Sequence, residues 1–468
     1  MRSSANSGMP PAMSAEGSFW ETWTSSILSK IIPPARSAST GKEMETPRLF
    51  VSAVGFCIAQ TAVPGLLLIT TPKGSRLRHL WIPCSLWLTY QFFLLSRGAS
   101  SISIQYANAA MHVFVASLQA GNLLILSPVD EGHLLRVGLY PSQSSGLSRI
   151  WRTSRLFIAS RGIGTPWVVK NIPQHPEALA ARARPRIPKS AFLLRQAVVF
   201  AWQYVLLDVL YVVATWDESS AAASTTRFDY WEVRAVEWPR YVFMALFSWF
   251  VVARVLIDAS YRAAALVAVG LGGSSAEDWP PLFGSMWMAF TLRNFWGKFW
   301  HQFLRWPFTS TANYLARDLL RLPRPSPVER YLNTFFVFLL SGLLHVMVDS
   351  VQGVLPSESG AMTFFPLFTL GFMIEDGIQE AWNRLRVSRQ THQADLRTML
   401  WQQTLGFVWV ITWMSVTSPP YLLASRQSSE ENRQLVPFSV VRVTGVYAGV
   451  IWILVGGVMV KVIFGGEP

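Results

Sequence analysis

Long apolar runs alternate with polar loops along most of this chain. Several runs reach the roughly 20 residues that a helix needs to cross the hydrocarbon core of a bilayer, and most carry no charge near their centre. This pattern predicts an all-α fold, a polytopic bundle of about 8 to 10 transmembrane helices. The nine predicted spans are residues 49–70, 80–96, 103–126, 191–214, 240–270, 331–351, 361–378, 403–424 and 441–464.

The run 240–270 is the longest of the nine, and it crosses either once with a tilt or as a broken pair. Arg254 and Asp258 lie four residues apart in it, on one face of a helix. Charged groups inside a membrane domain usually face inward and pair with one another. We therefore expect an ion pair between these two residues.

Residues 1–48 form a polar N-terminal tail rich in Ser, Ala and Pro, ahead of a membrane-embedded domain over 49–468. The tail lacks the short apolar core and small-residue cleavage site of a secretory signal. Apolar residues recur every four positions within it, at Phe19, Trp23, Ile27 and Ile31. That spacing fits either a short interfacial helix or an unstructured tail.

Composition agrees with a membrane protein. Hydrophobic residues make up 51% of the chain and charged residues 14%, against about 25% charged residues in soluble proteins. The formal charge of +13 comes from Lys and Arg in the loops between spans, which favours membrane topology over nucleic-acid binding. Cys57 and Cys84 lie in or beside spans without partners at metal-ligand spacing, so we expect no disulfide and no metal site.

The loops also predict an orientation. Residues 127–190 hold ten Lys and Arg against three acidic residues, whereas 215–239 is acidic on balance. Cytoplasmic loops are the ones enriched in Lys and Arg. The first loop should therefore be cytosolic, with the C-terminus cytosolic and the N-terminus lumenal.

A histidine inside an apolar run is the first candidate for chemistry. His345 is the fifteenth residue of the 21-residue segment YLNTFFVFLLSGLLHVMVDSV. A histidine at bilayer depth is costly unless it is paired or used, and a neutral imidazole can accept a proton from an attacking hydroxyl. Asp349 follows one helical turn later, where it would orient the ring. The alternative is a histidine that only hydrogen-bonds to a neighbouring helix.

The second candidate is the basic aromatic segment PLFGSMWMAFTLRNFWGKFWHQFLR, residues 281–305. Its apolar and charged positions alternate as in a helix lying at the interface, with Trp296, Trp300 and Trp306 at headgroup level. Such a helix serves either as a lipid anchor or as part of a positive surface that attracts a phosphorylated donor such as coenzyme A. The basic residues of that surface would be Arg293, Lys298, Arg305, Arg317, Arg321 and Arg324.

Two shorter features complete the picture. Pro323, Pro325 and Pro327 make the connection between the two candidate segments short and stiff, so the segments can be neighbours in space. The segment RGIGTPWVVKN, Arg161 to Asn171, contains a GxG pattern that lacks the spacing of a dinucleotide site. We interpret it as a turn.

The pattern RNFWGKFWHQ, followed by a span containing SGLLH, resembles the wax synthase-like branch of the membrane-bound O-acyltransferases. RGIGTPWVVKN is similar to a second block of that family. The resemblance covers about residues 150–460, with its core at about 240–380. Many fungal members of this branch are O-acetyltransferases that act on terpenoids and meroterpenoids.

The resemblance implies roles for particular residues. His345 corresponds to the catalytic base, and His301 to the second active-site residue. His301 or Asn294 would hold the donor or stabilise the oxyanion, although relatives often carry Asp at 294 and Arg at 298. Donor binding would fall to Arg293, Trp296, Lys298 and Arg305.

The implied reaction moves an acetyl group from acetyl-CoA, a co-substrate, to a hydroxyl of an apolar small molecule at the bilayer. No tightly bound cofactor, metal or nucleic acid is expected, and the implied location is the endoplasmic reticulum membrane. A long-chain wax-ester synthase is the alternative within the enzymes. A transporter is the alternative outside them, with Asp208, Arg254 and Asp258 as its only sequence hints.

Overall fold

Helices alone make up the regular structure in the part of the chain that the computed structural model describes, which is residues 46–96, 103–180, 186–215, 228–388, 396–424 and 434–464. The predicted polar tail, 1–48, and its short interfacial helix lie outside these ranges, except that Thr46 already begins the first helix. The all-α fold class is confirmed.

The α-helices are labelled in chain order. The first seven are α1 (Thr46–Thr70), α2 (Trp81–Ser96), α3 (Ser103–Gly121), α4 (Glu131–Arg136), α5 (Gly146–Ile158), α6 (Glu177–Ala180) and α7 (Lys189–Ala214). The next five are α8 (Trp238–Leu246), α9 (Arg254–Gly270), α10 (Leu292–Asn294), α11 (Arg305–Asn313) and α12 (Pro327–Val351). The last five are α13 (Ala361–Ser388), α14 (Leu396–Thr417), α15 (Pro419–Ala424), α16 (Val441–Thr444) and α17 (Val446–Phe464).

Seven helical segments of the described chain are long and apolar enough to cross a membrane, so this is an integral, multi-pass membrane protein. They are Val51–Thr70, Tyr106–Leu126, Lys189–Ala214, Ala235–Gly270, Pro327–Val351, Ala361–Leu385 and Val446–Ile463. All nine predicted spans are helical, but two are not among the seven. Helix α2 has only 16 residues, and α14 carries Gln402, Gln403 and Thr404 in its first half.

The segment 240–270 is one continuous helical path in which α8 leads through a π-helical turn, Phe247–Ala253, into α9. The predicted Arg254–Asp258 ion pair does not form. Asp258 instead pairs with Arg262 at 2.7 Å, one turn further on, and accepts a 2.7 Å hydrogen bond from Gln203 of α7. The Arg254 guanidinium lies over the ring of Phe283, 5.7 Å from its centroid.

Helix α12 packs most extensively against α13, with α3 and α11 on its other sides. Local signals define its ends. Ser326 accepts a 3.1 Å hydrogen bond from the Glu329 N–H, and Pro327 occupies the first turn. At the other end Gly353 has φ +87°, while Gly353 and Val354 donate their N–H groups to the carbonyls of Ser350 and Asp349. This Schellman-type ending fixes where the helix stops.

The basic aromatic segment is not the continuous interfacial helix that its alternation predicted. It is folded into α10, a π-helical turn at Phe295–Phe299, and an extended residue at Trp300. Phe295, Phe299 and Trp300 are buried in an aromatic core with Trp249 and Phe364. The tryptophans at 296 and 300 therefore contribute to the core of the bundle instead of marking the headgroup level.

Candidate active site

Both candidate histidines line one cavity of about 690 Å³ inside the bundle. The prediction that the two segments are neighbours in space is therefore confirmed. One face of α12 supplies much of the wall, from Asn333 and Thr334 through His345 to Gln352. At 1.5 Å per residue, that wall extends over about 28 Å. Arg293 lies near the Asn333 end, because its partner Asp376 also contacts Arg330 and Tyr331, whereas Asp349 lies at the other end; Arg305 lines the cavity beside Gln302.

His345 is held by its own helix. Its Nδ1 lies 2.7 Å from the carbonyl oxygen of Ser341, one turn earlier. A carbonyl only accepts, so Nδ1 carries the proton and Nε2 keeps its lone pair. The ring stacks on Phe365, with centroids 4.1 Å apart. This arrangement gives the imidazole the tautomer that a general base requires.

Asp349 does not orient the His345 ring, contrary to the sequence-based expectation. Its Oδ2 accepts a 2.5 Å hydrogen bond from the Ser359 hydroxyl, which lies just before α13. The Ser341 carbonyl takes the orienting role instead. A backbone carbonyl is present at every helical position, so the sequence carries no signal for this choice.

His301 lies in an aromatic pocket, with ring centroids 5.8 Å from Phe283, 5.6 Å from Trp300 and 5.6 Å from Phe303. Its buried Nδ1 has no hydrogen-bond partner among the residues that the structure describes. Burial, followed by the nearby charges of His345 and Arg161, lowers the pKa of this imidazole. The ring is therefore neutral near pH 7 and retains one N–H to donate.

Gln302 holds the turn that carries His301. Its side-chain amide donates to the carbonyls of Trp296 at 3.0 Å and Trp300 at 2.6 Å, and its oxygen accepts from Arg305 at 2.8 Å. Only 3% of Gln302 is exposed. Sequence reasoning gave this residue no role, although it ends the pattern RNFWGKFWHQ that carries the family resemblance.

The segment from Arg161 to Asn171 is a turn, as predicted. It supports the histidine loop, the irregular stretch 295–304 that carries His301. Gly162 has φ +64°, and a Cβ there would lie 2.6 Å from the Trp167 carbonyl oxygen. Arg161 donates to the carbonyls of Pro280 and Pro281, at 3.0 and 2.9 Å. Asn171 donates to the Gly297 carbonyl at 2.8 Å. These bonds connect the turn to the start of the segment 281–305 and to the π-helical turn that follows α10.

The predicted donor-binding residues divide into two groups. Trp296, Arg293 and Arg305 line the cavity. Arg293 is also paired with Asp376 at 2.8 Å. Lys298 is exposed and lies outside the lining, and so does Asn294, whose N–H donates to the Thr291 hydroxyl at 3.0 Å.

Glu375 is a buried acid that sequence reasoning missed. Its carboxylate accepts hydrogen bonds from the backbone N–H groups of Leu292 and Arg293, at the start of α10, and a 3.0 Å bond from the Trp409 indole. It is 5% exposed. An acidic residue within the span 361–385 was the available signal, because such groups are rare at this depth without a role.

Residues 279–367 match the model of the membrane bound O-acyl transferase family. Acetyltransferase spyB of Aspergillus fumigatus is 38% identical over 91% of this chain and 73% of its own length. Acetyltransferase atnC of an Arthrinium species is 39% identical over 87% of this chain and 95% of its own. Acetyltransferase pyr8 of Aspergillus fumigatus is 39% identical over 88% of this chain and 95% of its own. No solved structure matches the chain.

Proposed function

Because the chain belongs to the membrane-bound O-acyltransferase family and is an acyltransferase, we propose that it moves an acetyl group from acetyl-CoA to a hydroxyl of an apolar secondary metabolite. The proposed acceptor class is a terpenoid or meroterpenoid, and the proposed location is the endoplasmic reticulum membrane. The observation that carries the proposal is that His301 and His345 line one cavity between a basic end and an apolar interior.

His345 is the proposed general base. The acceptor oxygen attacks the thioester carbonyl carbon as its proton passes to Nε2 of His345. The C–S bond of the tetrahedral intermediate then breaks, and the leaving coenzyme A sulfur takes that proton. The bond from Nδ1 to the Ser341 carbonyl supports this role, because it stabilises the imidazolium that exists between the two transfers.

His301 is the proposed donor to the oxyanion. A neutral imidazole in a pocket of aromatic rings is shielded from water, where a hydrogen bond to a developing negative charge is strong. Asn294 was the sequence-based alternative for this role. Its position outside the cavity lining favours His301.

The basic end of the cavity is the proposed entry of the acyl donor. Arg293 and Arg305 are positioned to attract the phosphates of coenzyme A. The acceptor occupies the opposite part of the cavity. The cavity walls include Met111, Met244 and Leu256, which suit an apolar ring system.

A microsomal assay tests the reaction and the base together. Microsomes that contain the chain are supplied with labelled acetyl-CoA and a panel of hydroxylated terpenoids, and acetate esters are detected by mass spectrometry. We expect an ester with the unmutated protein and a loss on the order of 10²- to 10⁴-fold in His345→Ala. Rates are normalised to the amount of protein in the membrane.

His112→Ala is the matched control, because this histidine also lies in a predicted span but lines a separate cavity with Cys57 and Tyr106. We expect it to retain activity. Equal turnover in His345→Ala and the unmutated protein would contradict the proposed base. An ester formed only with long-chain acyl-CoA would indicate wax-ester synthesis, and no ester with any donor would favour transport.

A further inference from the structure

The end of the cavity beyond His345 carries polar groups among its apolar walls. Asp349 and Tyr421 both line it. Asp349 lies one helical turn after His345 on the same face of α12, so the two side chains project into the cavity about 5–6 Å apart. The Tyr421 ring stands perpendicular to the His345 ring, with centroids 6.0 Å apart. Two polar side chains therefore lie within reach of an acceptor whose reacting hydroxyl is at His345.

The Asp349 carboxyl is only partly engaged. Ser359 is its single hydrogen-bond partner among the residues that the structure describes, and Oδ2 makes that bond. The side chain is 6% exposed, yet it belongs to the cavity wall. A buried carboxyl with spare hydrogen-bonding capacity is costly to keep without a partner. The cavity is where such a partner would lie.

The Tyr421 hydroxyl makes no hydrogen bond to any residue in the described ranges. Its ring stacks flat on Phe364, with centroids 5.4 Å apart at 8°. Gly360 leaves room for the backbone of α15, because a Cβ there would lie 3.1 Å from the Tyr421 Cα. The ring is thus rigidly held beside the turn that contains Ser359. The side chain is half-buried and belongs to the cavity wall, so its hydroxyl is available to a group inside the cavity.

We propose that the acceptor is a diol or polyol, and that Asp349 and Tyr421 bind a second hydroxyl while His345 deprotonates the first. A hydroxyl both donates and accepts, so it matches a carboxylate oxygen and a phenol at the same time. A purely apolar mono-alcohol would leave the Tyr421 hydroxyl and the second oxygen of Asp349 without partners. This inference rests on the proposed acetyl transfer and specifies its acceptor class.

The test compares two acceptors in the microsomal assay with labelled acetyl-CoA. The probes are a decalin-skeleton terpenoid mono-alcohol and its counterpart with a second hydroxyl about 5–6 Å from the first. We expect the unmutated enzyme to favour the diol in kcat/KM by about tenfold or more. In Asp349→Asn and in Tyr421→Phe, the ratio of diol to mono-alcohol should fall by about tenfold.

Ser359→Ala is the control for a merely structural role, because it removes the other partner of Asp349 without changing the cavity wall. Its diol preference should match that of the unmutated enzyme. An equal fall of the ratio in Ser359→Ala, or equal use of the two alcohols by the unmutated enzyme, would overturn the inference and leave acetyl transfer intact. No ester from either alcohol would instead contradict the proposed function.

Discussion

The two histidines of the cavity are held in opposite ways. His345 lies on a regular helix, α12, and its partner is a carbonyl four residues away. His301 lies on an irregular segment held by groups distant in the chain, such as Asn171, 126 residues from Gly297, and Glu375, 83 residues from Leu292. We infer that the proposed base is positioned by local structure and the proposed oxyanion donor by tertiary structure. Mutations of residues distant in the chain should therefore displace His301 but not His345.

After loss of the proposed base His345, replacing His301 should have the largest effect. His301→Ala removes a hydrogen bond to the oxyanion, which typically lowers kcat by about 10²- to 10³-fold. His301→Gln retains a side-chain N–H and should recover part of the loss. Single-turnover rates with saturating acetyl-CoA measure the effect. If both variants turned over at the unmutated rate, His301 would have no role in the chemistry.

Glu375→Ala should be next, because it leaves two backbone N–H groups of α10 and the Trp409 indole without a buried acceptor. Each unsatisfied group costs about 1–3 kcal/mol. We expect a lower thermal unfolding temperature in detergent, together with a lower kcat in the protein that remains folded.

Glu375→Gln is the matched variant, since its amide oxygen still accepts a hydrogen bond. It should recover much of the stability. Equal losses in the two variants would show that the charge of Glu375 is required, instead of its capacity to accept hydrogen bonds from α10.

Asn171→Ala should have a smaller effect on the histidine loop. It removes one exposed hydrogen bond to Gly297, a loss of about 1 kcal/mol. We expect a rate decrease of a few-fold, growing with temperature as the loop loosens. The temperature dependence of kcat measures this effect, and a temperature-independent loss would argue against loosening of the loop.

Ser326→Ala should act only through α12. The N-cap bond to Glu329 contributes about 1 kcal/mol to stability. The Nδ1 bond of His345 lies five turns away and does not depend on this cap. We therefore expect a lower unfolding temperature but the same kcat per folded molecule, and a reduced kcat would contradict local positioning of the base.

Lys298→Ala should have the smallest effect. This side chain was a predicted donor-binding residue, but it is exposed and lies outside the cavity lining. Loss of a long-range charge attraction would raise the KM for acetyl-CoA at low salt. This increase would vanish at high salt. A large, salt-independent increase in KM would instead mean direct contact with the donor.

The helices were predictable to within a few residues at most ends. Their apolar runs depend on the chain's own periodicity, and the ends of α12 are marked by Ser326, Pro327 and Gly353. The segment 281–305 was not predictable in the same way. Its alternating charges and aromatic rings fit an interfacial helix, but Phe295, Phe299 and Trp300 are buried by helices from distant parts of the chain.

The sequence by itself determined the membrane-spanning helices, the family and the two histidines, because each of these depends on residue types and short spacings. Only the tertiary structure decided that Asp349 bonds to Ser359, and that Asn294 and Lys298 lie outside the cavity. Those outcomes depend on which groups meet across the bundle. A buried polar group takes the partner that is geometrically closest, and the order of residues along the chain does not specify that distance.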